Sequence, residues 1–179
     1  MRALLIRHGE SSGQEPEAAL TPRGLRQGDE LAAALRGESI GRVLSSPYRR
    51  ARQTAEFVAA GTEPHIDDRL REWELPWVPD TDWPSALRPI LAGRVPLAPD
   101  VEPIAEARAR GLAVLHEALS DESGLPVLVT HGKLLSLVLS RIACSDPYEV
   151  FIGLRNPHVF EVAGSDGQLQ VRSVWHPGV

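Results

Sequence analysis

Two histidines each close an apolar run, and a glycine follows each one. Leu4-Leu5-Ile6 leads into Arg7-His8-Gly9, and Val127-Leu128-Val129 leads into Thr130-His131-Gly132. A neutral imidazole carries a lone pair that can attack an electrophile near neutral pH. A neighbouring arginine presents a planar fork suited to phosphate oxygens. Glycine lets the backbone approach a ligand closely. Between the two stretches lies Ser45-Ser46-Pro47-Tyr48-Arg49-Arg50-Ala51-Arg52-Gln53-Thr54-Ala55. Its arginines sit where a helix begins, and free amides at a helix start attract phosphate. These residue types and spacings point to phosphoryl chemistry.

Such groups need elements that carry them to one place. Residues 2–6, 41–45 and 126–130 are short apolar runs and predict buried strands. Thr21-Pro22 predicts a helix start that runs to about residue 36, with Gly37 ending it. Ser46-Pro47 predicts a second helix ending near Gly61, and residues 104–119 and 133–143 predict two more. Residues 65–67 read as a brief strand. Residues 159–163 and 169–175 read as a hairpin around Ser165-Asp166-Gly167. Strands alternate with helices through the first two thirds of the chain. This order predicts an α/β fold: a three-layer α/β/α sandwich around a mostly parallel central sheet with an antiparallel edge strand. His8, Ser45-Ser46 and His131 then fall at carboxyl ends of strands, the rim where such sheets bind ligands.

The chain of 179 residues is expected to form a single domain, with an irregular excursion at about 73–103. That excursion holds three of the four tryptophans and close to half of the prolines. A net charge of −5 and a pI near 5.7 argue against nucleic acid or an anionic membrane as partner. An anionic ligand must therefore meet a local cluster of cations. The first apolar run is too short for a membrane span and lacks a signal-peptide layout. The single Cys144 excludes an intrachain disulfide and is expected to be a small buried hydrophobe. A cytoplasmic setting follows. Monomer and homodimer both stay open. His65, His116, His158 and His176 lack partners at metal-ligand spacing, so no metal site is expected.

The blocks Arg7-His8-Gly9-Glu10, Ser45-Ser46-Pro47-x-x-Arg50-Ala51-x-Gln53-Thr54-Ala55 and Thr130-His131-Gly132 together resemble the histidine phosphatase superfamily, the phosphoglycerate mutase-like branch 1. Leu20-Thr21-x-x-Gly24-x-x-Gln27 is similar to that family's early helix. The resemblance implies a phosphohistidine mechanism with no cofactor and no metal. His8 would be the nucleophile. Arg7, Arg50 and His131 would surround the phosphoryl oxygens and stabilise the transition state. The Gly132 amide would add a donor. Leu70-Arg71-Glu72 matches the family's acid-bearing segment, so Glu72 would protonate the leaving oxygen, with Glu74 as the alternative.

Other positions depart from the pattern or carry less. Glu10 would orient the site or lie on the surface. Gln14 stands where an asparagine often touches phosphate, and Tyr48 where an aliphatic residue is common. Lys133 would add positive charge near the pocket or point to solvent. Trp73, Trp77 and Trp83 would line the entrance or pack an irregular loop, and Trp73 is taken as a substrate-binding candidate. The expected partner is a small phosphorylated metabolite hydrolysed as a phosphomonoester. A cofactor-dependent phosphoglycerate-type mutase, a phosphohistidine protein phosphatase and a non-catalytic phosphate-binding module are the alternatives.

Overall fold

The computed structural model describes residues 1–76, 82–121, 123–165 and 168–178, with the side chains of residues 83 and 84 also outside the described set. Six strands form one sheet: β1 (Arg2–Arg7), β2 (Ile40–Ser45), β3 (His65–Ile66), β4 (Leu125–Thr130), β5 (His158–Ser165) and β6 (Gln168–Trp175). Their spatial order is β3-β2-β4-β1-β5-β6. The first four run parallel, with Leu4 beside Val127 and Ser45 beside Val129. The β5–β6 hairpin supplies the antiparallel pairings at one edge, with Arg7 opposite His158. The expected turn residues Asp166 and Gly167 lie outside the described residues.

Both faces of the sheet are covered, as continuous apolar strands require. On one side α1 (Pro22–Ala34) and α2 (Arg49–Ala59) pack Leu31, Ala51, Ala55 and Val58 onto Leu4, Ile6, Val127 and Val129. On the other, α4 (Ile104–Leu119) and α5 (Gly132–Ala143) bring Val114, Leu115, Leu135 and Val138 against Ala3, Leu5, Leu128 and Val162. Alternate residues of β1 therefore feed the two cores, as the period of two dictates.

Thr21 caps α1 as its residue type predicts, accepting from the Gly24 N–H at 3.0 Å. Gly24 is required there, because a Cβ would stand 2.0 Å from the Glu10 carbonyl oxygen. The second helix begins at Arg49, later than Ser46-Pro47 predicts, with Tyr48 at its N-cap. Residues 46–48 instead form an extended bend that turns Ser46 towards β4, its N–H bonding the Val129 carbonyl. Cys144 is exposed, in left-handed conformation at the end of α5, rather than buried.

The excursion is more ordered than its prolines suggest. It contains α3 (Trp83–Leu91), whose buried Leu87 and Leu91 lie one turn apart. Pro84 falls in the first turn, where its missing N–H does no harm. A further short helix, α6 (Pro147–Gly153), is capped by Asp146. Together α3, α4, α5 and α6 enclose a third apolar cluster around Trp73, Leu87, Leu137 and Tyr148. Trp73 is fully buried, and its indole N–H donates to the Glu102 carbonyl at 2.9 Å. It is a core residue, so its assignment to substrate binding is corrected. Trp77 lies outside the described residues, as does the side chain of Trp83. Among the described residues, no helix is long and apolar enough to cross a membrane.

Candidate active site

His8 stands just past the end of β1, its N–H on the Thr130 carbonyl of β4 at 3.0 Å. Its Nδ1 lies 2.7 Å from the Gly9 carbonyl. A carbonyl only accepts, so Nδ1 carries the proton and Nε2 keeps its lone pair. Nε2 faces Arg50, whose Nε donates to it at 3.1 Å. Burial pushes the His8 pKa well below its ordinary value, and the neighbouring His131 together with the charges of Arg50 and Arg7 presses it the same way. The ring is therefore neutral at physiological pH, with Nδ1 pinned and the Nε2 lone pair accepting from Arg50.

Arg50 is fully buried in the first turn of α2. Its Nη1 donates to the carbonyls of Gln14 and Glu15 at 3.1 and 2.8 Å. Arg7, at the end of β1, is held by the Leu154 carbonyl at 3.3 Å. Its guanidinium lies against Gly132, where a Cβ would approach it to 3.3 Å. The missing side chain at Gly132 thus gives Arg7 its place. His131 is fully buried, and its ring centroid is 5.0 Å from that of His8. Its Nε2 bonds Ser46 Oγ at 2.7 Å. Burial, then the charges of Arg50, Lys133 and Arg7, keep His131 neutral as well.

Arg7 Nε, Arg50 Nη2 and His131 Nδ1 are buried without a protein partner. Buried polar nitrogens are nearly always bonded, so three such atoms on the residues around His8 mark a ligand site. Their chemistry suits an anion with several acceptor oxygens. Gly132 completes the set, since the next two amides of α5 are taken by Glu72 and its own N–H bonds no described residue.

Glu72 is buried at the start of α5. Its Oε1 accepts from the N–H groups of Trp73 and Leu134 at 2.8 and 3.0 Å, and Oε2 from that of Lys133 at 3.3 Å. Burial pushes its pKa up. The Lys133 ammonium and the three amides outweigh this and hold it below the ordinary carboxylate value. Resting Glu72 is thus a carboxylate. Glu74 accepts from the Tyr48 hydroxyl, and the Tyr48 ring packs 4.9 Å from that of His131. A cavity of about 380 Å³ opens beside Glu72 and Glu74, lined also by Arg71, Leu75, Asp100 and Glu102.

The structure brings together His8, Arg7, Arg50, His131 and Gly132, with Glu72 beside them. It does not bring in Glu10, whose carboxylate accepts from Thr21 and pairs with Arg23 at the start of α1. Gln14 contributes its backbone carbonyl while its side chain is exposed. Three supporting residues escape sequence reasoning. Ser46 orients His131, Thr54 accepts from the Gly9 N–H at 3.1 Å, and Asn156 donates to the His8 carbonyl at 2.8 Å. Thr54 and Ser46 lie inside a motif already noted, whereas Asn156 carries no signal beyond the Asn-Pro pair. Among the described residues, no group of three or more His, Cys, Asp or Glu side chains could hold a metal ion.

This fold is that of the histidine phosphatase superfamily. The chain belongs to the histidine phosphatase superfamily (branch 1), whose family model matches residues 3–175. It is similar to the probable phosphoglycerate mutase GpmB of Yersinia enterocolitica, at 31% identity over 180 residues, 87% of this chain and 81% of the relative. Among solved structures it is similar to the mycobacterial glucosyl-3-phosphoglycerate phosphatase with inorganic phosphate. That likeness has 25% identity and a TM-score of 0.74, over 97% of this chain and 96% of the other. It shares the fold of the Entamoeba histolytica phosphoserine phosphatase in complex with 3-phosphoglyceric acid, at 22% identity and a TM-score of 0.76 over 98% of both chains.

Proposed function

We propose that this chain is a metal-independent phosphomonoesterase that hydrolyses a small phosphorylated metabolite through a phosphohistidine at His8. The observation that carries this reading is the neutral His8 ring, pinned at Nδ1 with its Nε2 lone pair held towards Arg50, beside three unpartnered buried nitrogens. Nε2 attacks phosphorus while Arg7, Arg50 and His131 hold the non-bridging oxygens. Fixed cations supply the charge that a metal ion would otherwise bring, and do so without reorganisation. Glu72 serves the proton transfers.

A mutase would use the same first step and return the phosphoryl group to the organic product. The names of the sequence relatives favour that second reading. The solved relative with inorganic phosphate, similar at 25% identity, is a phosphatase and favours hydrolysis. A panel of phosphomonoesters, assayed with a chelator for free phosphate and for isomer, tests the proposal. Phosphate release without isomer supports it. Isomer formation from phosphoglycerate as the main activity refutes it.

A further inference from the structure

Lys133 stands in the first turn of α5, directly after His131-Gly132, where the helix dipole disfavours a cation. The structure shows what offsets that cost. The Lys133 ammonium lies 3.8 Å from Glu72 Oε2, the same oxygen that accepts its main-chain N–H. The two side chains are 17% and 8% exposed, so water screens the pair weakly. Glu72 is the one ion-pair partner of Lys133 among the described residues. The cation is thus paired with the group proposed to move protons rather than released to solvent.

We propose that Lys133 is a positioning residue that sets the proton affinity of Glu72, and thereby selects substrates with good leaving groups: aryl, acyl or enol phosphates ahead of simple alkyl phosphates. This rests on the phosphohistidine reading above. In the first half-reaction the His8 Nε2 lone pair forms the N–P bond and the P–O ester bond breaks. The electron pair goes to the leaving oxygen, which takes a proton from the Glu72 carboxyl or leaves unprotonated. In the second, water attacks phosphorus, the N–P bond breaks with its pair returning to Nε2, and the water proton passes to Glu72. A carboxylate serves the second step directly. It serves the first only after taking a proton from solvent, and only a poor leaving group needs that proton.

Other charged groups face Glu72 from each neighbouring element. Arg7 comes from β1, Arg50 from α2, and Arg110 of α4 donates to the Glu72 carbonyl at 3.4 Å while pairing with Glu102. Tyr48 lies on the side of Glu74. Lys133 is the one among them whose charge is directly paired with the Glu72 carboxylate.

The test is kcat/KM across a series of phosphomonoesters, from p-nitrophenyl phosphate to a simple alkyl phosphate, as a function of pH. It compares the wild type with Lys133→Met, Lys133→Gln and Lys133→Arg. The wild type should fall steeply along the series. Removing the charge should raise the alkaline limb for alkyl phosphates by about one pH unit, and their rate on that limb about tenfold. The p-nitrophenyl phosphate rate should change less than about twofold, since its leaving group needs no acid. Lys133→Arg should keep the wild-type profile. An unmoved limb, or an equal loss on every substrate in both neutral variants, overturns the role of Lys133. Radiolabelled substrate should give an acid-labile phosphoenzyme that His8→Ala abolishes. Label without a shifted limb removes this inference and leaves the mechanism standing. No label overturns both.

Discussion

Arg50→Lys keeps the charge and removes the fork. Arg50 divides its guanidinium among separate directions: Nε towards His8 Nε2 at 3.1 Å and Nη1 towards the carbonyls of Gln14 and Glu15 at 3.1 and 2.8 Å. Its Nη2 is buried and unpartnered. A lysine ammonium is a point donor and can serve one of these directions. Leaving a partly buried carbonyl without its donor costs about 1–3 kcal/mol. Loss of a fixed donor at the reacting oxygens costs about 10²–10³ in kcat, or about 2.7–4 kcal/mol. The donor does most in the transition state, so kcat should carry the loss and KM should move less. Steady-state hydrolysis of p-nitrophenyl phosphate at neutral pH, with urea unfolding in parallel, measures both effects. A folded variant with kcat within about threefold of wild type would refute Arg50 as a transition-state donor.

Acid should destabilise the protein early. His8 and His131 are held neutral well below their ordinary pKa, so the unfolded chain takes up protons below about pH 6.5 that the folded chain refuses, and stability should fall about 1.4 kcal/mol per pH unit for each. Urea midpoints that stay level from neutral pH down into that acid range would contradict the neutral pair. Trp73→Ala should lower stability by about 3–5 kcal/mol as a core deletion, and an unchanged denaturation midpoint would return Trp73 to the surface.

The strand-end histidines are legible in the sequence because a short apolar run and the residue after it are local signals. The same holds for Thr21 and Pro22, whose cap and first-turn roles follow from residue type. What is illegible depends on distant partners. Trp73 sits in a proline-rich segment, and only α3, α5 and α6 closing around it make it core. Prolines conceal α3 because propensity cannot show that Leu87 and Leu91 find a buried surface. Glu10 follows the Arg-His-Gly block, yet the nearby Thr21 and Arg23 capture its carboxylate. The charge state of Glu72 is set by amides and a lysine some sixty residues further along the chain.

His8 is gripped from three directions in sequence. Its amide bonds Thr130, its carbonyl is held by Asn156, and the next amide bonds Thr54. Those anchors come from β4, the approach to β5, and α2. A nascent chain that has reached α2 but not residue 156 holds the nucleophile only in part. The hold on His8 is therefore complete only once the segment just before β5 is in place. By linkage, phosphate or a vanadate mimic should then act as a folding ligand for the whole sheet, favouring the completed protein over every partial intermediate.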